Sequence, residues 1–148
     1  MMIGLAGMML AAAMAAPPTG MAHSVRIDHA TGAVHSDYSA DVQVSHRQVG
    51  TVGAGGRPST LRCMWSAGLT VDRQARHASG SMLTRSFASD TVVEGSRPGW
   101  CSAQKASIAR EVATRTPELR ARLIELARED HPVLHAEIDR MQGNRREG

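Results

Sequence analysis

The apolar residues of this chain change their spacing once, near Gly95, and that change decides the fold class. Before it they recur at every second position, as in strands buried on one face; after it they recur at three and four, as along one side of a helix. Tyr38, Ala40, Val42 and Val44 alternate with Ser39, Asp41, Gln43 and Ser45. Leu61, Cys63, Trp65, Ala67, Leu69 and Val71 alternate with Arg62, Met64, Ser66, Gly68, Thr70 and Asp72. A third, less regular run holds Leu83, Phe87, Val92 and Val93. The glycine-rich stretch from Gly50 to Pro58 and the residues from His77 to Gly80 are the breakers between these runs. Short connections between strand-patterned runs predict a small antiparallel meander of about three strands, not parallel crossover units.

Downstream, Cys101, Ile108 and Val112 fall on one helical face and predict a helix from about Ser102 to Arg115. Thr116-Pro117-Glu118 then carries a capping residue, a proline at the first helical position and an acid at the positive end of the helix dipole. Leu119, Leu123, Leu126 and Ala127 form the apolar stripe of the helix that follows. Pro132 is expected to break or kink it, with Asp130 or His131 as a second cap, before Leu134, Ile138 and Met141 resume the same phase and Gly143 closes it. The expected fold is therefore α+β, with two or three C-terminal helices after the sheet.

With 148 residues the chain is one domain's worth of material. Residues 1–22 read as a signal peptide: Met1 to Ala16 carries no charge, is too short to span a bilayer, and ends among small residues. Cleavage fits after Ala15 or after Ala22, and the second is preferred. Residues 23–37, polar and punctuated by histidine, are expected to form a flexible N-terminal arm, residues 38–143 the single α+β domain, and residues 144–148 a disordered tail. Cys63 and Cys101 are the only cysteines, and in an oxidising compartment such a pair forms one disulfide. Redox catalysis normally uses a C-x-x-C spacing, which this pair lacks. The expected location is periplasmic or secreted, with no membrane span left once the leader is removed.

No motif in the chain names a reaction. The glycine-rich stretch lacks the spacing of a phosphate-binding loop and precedes a strand where such loops open a helix. Ser79-Gly80-Ser81 has no nucleophile-elbow frame around it. Aromatic residues make up only 3% of the chain, so stacking platforms for nucleic acid are missing and no nucleic-acid partner is expected. Two residue types remain.

Arginine is one. Between residues 42 and 122 there are 12 Lys or Arg against 5 Asp or Glu, and both flanks are acidic. Arg62, Arg73, Arg76 and Arg85 lie on or beside the later strands, where grouped guanidinium forks could hold phosphate or carboxylate from an anionic envelope component or an acidic protein. Histidine is the other. His23, cut free by cleavage after Ala22, could pair its amine and imidazole with His29 or His35 to bind copper. His131 and His135, four apart and followed by Asp139, could bind zinc or copper from one helix face, although Pro132 lies between them and the H-E-x-x-H pattern is absent. The leading expectation is a non-enzymatic exported protein that binds an envelope component or a protein partner, with no cofactor. The alternative is a periplasmic copper- or zinc-binding protein.

Overall fold

A computed structural model describes residues 20–147, so the expected leader falls outside the described residues except for its last three positions. Four strands come first: β1 (Gly20–His29), β2 (Gly32–Val49), β3 (Arg62–His77) and β4 (Met82–Pro98). Two helices follow, α1 (Cys101–Thr114) and α2 (Thr116–Glu147). The strands form one antiparallel sheet in the order β1-β2-β3-β4, and both helices pack on the same face of it. The α+β class and the meander are as the periodicity requires; the sheet has four strands where about three were expected.

The extra strand comes from residues 23–37, which form most of the β1–β2 hairpin instead of a flexible arm. Met21, Ile27 and Val34 are buried there and alternate with exposed Ala22, Asp28 and His35, so the same two-residue period extends upstream of Tyr38. Gly20 to Ala22, placed on the leader side of the preferred cleavage point, pair with Asp41 to Ser39 as the first residues of β1.

One parity of each strand faces the helices. From β3 this is Cys63, Trp65, Ala67, Leu69, Val71, Arg73, Ala75 and His77, all buried. The larger core cluster gathers Tyr38, Trp65, Leu69 and Val71 against Ile108, Val112, Leu119, Leu123 and Leu126. A smaller one at the other end joins Ile27, Val34 and Ala75 to Leu134 and Ile138. Each such side chain contributes roughly 1.5–3 kcal/mol on burial.

Pro132 lies inside α2, which runs unbroken through it to Glu147 and so also takes in residues 144–147 of the expected tail. Proline in a helix interior costs about 3 kcal/mol. The buried positions Leu126, Asp130, Leu134 and Ile138 lie four apart on both sides of it, so the sheet contacts outweigh that cost only if the helix stays in phase. Asp130 is thus an interior residue of this stripe and not a cap. Thr116 also departs from its expected role, donating its hydroxyl back to the Ala113 carbonyl at 2.7 Å.

The sheet is bent where Gly68 of β3 faces an irregularity in β4: Ala67 pairs with Val93 and Leu69 with Ser89, leaving Asp90 to Val92 as a bulge opposite one residue. A side chain at Gly68 would drive its Cβ to 2.3 Å from the Asp90 carbonyl oxygen, so only glycine fits. No helix among the described residues is long and apolar enough to cross a membrane.

Cys63 and Cys101 form the expected disulfide, which joins β3 to the first residue of α1 across 38 positions. Loop closure of that length stabilises a fold by roughly 4 kcal/mol on a chain-entropy argument. Replacing both cysteines by alanine should therefore lower the unfolding free energy in urea by about 4 kcal/mol or more, since Cys63 is also fully buried. A loss below about 1 kcal/mol would mean that the link contributes little.

Candidate functional site

The four arginines singled out by sequence do not form one patch. Arg73 continues the buried parity of β3 and is 1% exposed, whereas Arg62 and Arg76 have the opposite parity and lie on the face that no helix covers. Arg85, on β4, points to the helix side beside Arg73. Arg73 Nη1 donates to both Asp130 carboxylate oxygens at 3.1 and 2.9 Å, and its Nη2 donates to Glu137 Oε2 at 2.6 Å. Arg85 Nη1 donates to Asp130 Oδ1 at 2.5 Å, and the Tyr38 hydroxyl donates to Asp130 Oδ2 at 2.7 Å. Arg73 is thus engaged by two carboxylates of its own chain, which corrects its reading as an anion-gripping surface residue. Taking one partner from such a buried set leaves an uncompensated charge, a loss of about 3–5 kcal/mol.

The uncovered sheet face is mostly polar. Its exposed residues include Ser39, Asp41, Gln43 and Ser45 from β2, Asp72, Gln74 and Arg76 from β3, and Thr84, Ser86 and Ala88 from β4. Recesses run along it. Two neighbouring ones share Ser45, Ser66 and Thr91, and two more, nearer the hairpin turns, share Gln74. The largest of these has a volume of about 490 Å³ and lies on the paired ends of β2, β3 and β4 past the bulge. Its lining combines Arg47, Glu94, Ser45, Ser66 and Ser96 with Met64, one of the few large apolar side chains exposed among the described residues.

The histidines separate into groups. His35 lies on the open face, and His23 lies within β1, paired with Tyr38 in the ladder and 6.5 Å from its ring. His29, His131 and His135 do come together, joined by His77, which sequence reasoning passed over. The His131 and His135 rings stack at 4.7 Å, His135 lies 5.0 Å from His29, and His29 lies 6.5 Å from His77. Among the described residues no group of three or more His, Cys, Asp or Glu side chains is arranged to hold a metal ion.

His29 and His77 instead organise two matching turns. His29-Ala30-Thr31-Gly32 closes the β1–β2 hairpin and His77-Ala78-Ser79-Gly80 lies at the β3–β4 turn. In each, the backbone N–H two residues on donates to the histidine Nδ1 at 3.1 Å, and the Thr31 or Ser79 hydroxyl also contacts that nitrogen, at 2.7 and 2.8 Å. The glycines that follow have φ of 138° and 91°, a region that side chains other than hydrogen rarely enter. The two turns dock on each other through the Ala78 N–H, which donates to the Ala33 carbonyl at 3.0 Å. The signal for this pair was present in the chain as the recurrence of His-Ala-Thr/Ser-Gly.

Compared with family models, curated proteins and solved structures, the chain matches none.

Tyr38 reports on the buried network. Burial pushes its phenol up to about 12; the Ser36 hydroxyl opposes the shift and the Asp130 carboxylate adds to it. The raised value favours the neutral phenol in the folded state. Its stabilising contribution is intact below the ordinary tyrosine value of about 10 and is lost as pH rises from there toward 12. Because Tyr38 is the only tyrosine, absorbance near 295 nm titrates it alone. The expected midpoint is about 12, with stability falling above pH 10; ionisation near 10 in the folded protein would contradict its burial against Asp130.

Proposed function

We propose that this chain is an exported, disulfide-stapled binding module that takes an extended polypeptide partner along its open sheet face. The observation that supports this reading is the face itself: a four-strand surface left uncovered by both helices, with recesses along it and a 490 Å³ depression at one end. Its chemistry selects among partners. A polyanion calls for one sign of charge, yet Arg26, Arg47, Arg62 and Arg76 are interleaved there with Asp28, Asp37, Asp41 and Asp72. Sugar rings and bases call for aromatic platforms, and no Phe, Tyr or Trp side chain is exposed on it. Hydrogen-bonding side chains beside an exposed methionine and two opposite charges suit a peptide segment that lodges one apolar residue by Met64 and pairs its flanks with Arg47 and Glu94.

Export rests on the apolar leader and is compatible with the disulfide. Met21 is buried in the larger core cluster, so a mature chain that begins at His23 would lose a core side chain and the start of β1. Cleavage after Ala15 keeps both, and it leaves His23 without the free amine that a terminal copper site needs. Intact mass of the exported protein should therefore correspond to a chain starting at Ala16 with two hydrogens lost to the disulfide. A start at His23 would reverse that assignment, and recovery of the uncleaved chain from the cytoplasm would sink the export reading.

The binding face is tested by photo-crosslinking in the native host. A benzophenone side chain placed at Ser45, Ser66 or Thr84 should give a discrete protein adduct, and one placed at Arg120 on the exposed side of α2 should not. Met64→Asp should abolish the adduct from Ser45 and Ser66. Equal crosslinking from both faces, or none from the sheet, refutes the proposal. Adducts replaced by salt-sensitive binding to anionic vesicles, lost on exchanging Arg47, Arg62 and Arg76 for Glu, would assign the face to an anionic envelope component instead.

A further inference from the structure

The two matching turns differ in what lies behind each imidazole, a difference that turn formation does not require. Behind the His77 imidazole lies another neutral group: its Nε2 contacts the Thr31 hydroxyl at 3.0 Å. Behind the His29 imidazole lies a carboxylate, Asp139 of α2, with Oδ1 2.9 Å from Nε2 and 110 positions away in sequence. Asp139, His29 and Thr31 therefore stand in hydrogen-bonded order as carboxylate, imidazole and hydroxyl.

The proton positions follow from the backbone. The Thr31 N–H donates to His29 Nδ1, so that nitrogen carries the lone pair and Nε2 carries the proton, which it gives to Asp139. The Thr31 hydroxyl is then the second donor to Nδ1, at 2.7 Å. By the same logic the Ser79 N–H fixes His77 Nδ1 as an acceptor, so His77 Nε2–H donates into the Thr31 oxygen. That oxygen sits between a proton acceptor and a proton donor. His29 is 6% exposed in its side chain and His77 2% exposed overall, so both rings are held, while Thr31 is at the surface.

We infer that Thr31 is an activated nucleophile, with His29 as its general base, Asp139 as the positioning carboxylate and His77 as a donor that lowers the proton affinity of the attacking oxygen. Such an arrangement is recognised by geometry and not by chain order. The class of substrate is a carboxylic ester presented on the surface of a larger molecule, since Thr31 is exposed and lines none of the recesses described above. Thr31 Oγ1 attacks the ester carbonyl carbon as its proton passes to Nδ1, giving an imidazolium that faces the Asp139 carboxylate. The bond to the alkoxide breaks, the alkoxide takes the proton from Nδ1, and an O-acyl threonine remains. Water repeats the sequence through the same base, releasing the acid and restoring the hydroxyl.

Ser79 provides the internal comparison: it has the same turn and the same imidazole contact, but its ring has no carboxylate behind it, and its hydroxyl donates to Ser81 Oγ at 3.2 Å where the Thr31 oxygen meets His77 Nε2. A primary alcohol is intrinsically the less hindered nucleophile, so local chemistry alone would favour Ser79. The folded full-length protein is treated with p-nitrophenyl acetate, and intact mass with peptide mapping locates the acetyl group. The expected result is one adduct, on Thr31, formed about 100-fold faster than on Ser79 or any other hydroxyl. Thr31→Ala should abolish it, Thr31→Ser should retain it, and His29→Gln should slow it about 100-fold. Asp139→Asn should slow acylation and Asp139→Glu restore it, which a role in helix packing alone would not produce for an exposed side chain. Acetylation of Ser79 at an equal or greater rate, no adduct on Thr31, or an undiminished Thr31 adduct in folded His29→Gln each overturns the assignment. Circular dichroism on every variant identifies any that has lost its fold, and Thr31→Ser, which preserves each hydrogen bond, keeps the test decisive.

Discussion

The Asp130 carboxylate is the group around which the sheet and the second helix are fitted together. Arg73 places a guanidinium in the helix-facing layer of β3, where an unpaired charge would cost several kcal/mol. Only one registration of α2 brings Asp130 onto Arg73, Arg85 and Tyr38 while Glu137 takes the other end of the Arg73 fork. Two cations and two carboxylates meet in that set, so the layer is locally neutral. Hydrophobic packing is non-directional and would tolerate some sliding of α2. The ion set does not, and its position determines which residues of α2 reach the hairpin turns one and two helical turns further on.

The coverage of the sheet follows from the same fit. The disulfide fixes the start of α1 at the bottom of β3, the buried ion set fixes the middle of α2, and the two apolar clusters lie to either side. Both helices are spent on one face, which leaves the other to solvent, and its alternating Ser, Thr, Asp and Gln residues are what an antiparallel sheet with one wet face requires. The bulge opposite Gly68 bends β4 and adds relief to a surface that would otherwise be flat. The same frame presents Asp139 to His29 at the far end, so the polar face and the turn cluster are separate sites.

Much of this was legible in the chain. The switch of period near Gly95 gave the α+β order, the parity of Cys63 with Trp65 and Leu69 placed that cysteine inside, and two cysteines allowed one pairing. Other parts were readable but were masked by residue type. Arg73, Ala75 and His77 continue the parity of Leu69 and Val71, and Asp130 lies four from both Leu126 and Leu134, so each buried stripe carried one charge of opposite sign. A charged residue on a buried parity in each of two elements is the signature of an internal ion pair, and reading arginine as a surface residue concealed it. The β1 strand was hidden similarly: Ser24, Arg26 and Asp28 sit on the outer parity, His29 lies at the hairpin turn, and His23 interrupts the inner parity that Met21, Val25 and Ile27 mark. The continuity of α2 through Pro132 was not readable, because it depends on what lies on both sides of the proline in space.

The distribution of charge changes meaning once the chain is folded. In sequence the middle is basic and the C-terminal flank acidic, which points toward an anionic partner for the middle. In space the two are brought together within one domain: Asp130 and Glu137 meet Arg73 and Arg85, and Glu125 and Glu129 engage Arg122. Much of the apparent basic excess is therefore answered internally, and a distant polyanion would feel the small net charge more than the local one. What remains for recognition is short-range: interleaved charges, hydroxyl and amide groups on the open face, and apolar footholds at Met64 and Met82. A surface of that kind discriminates by the spacing of hydrogen bonds along an extended chain, not by the strength of its field.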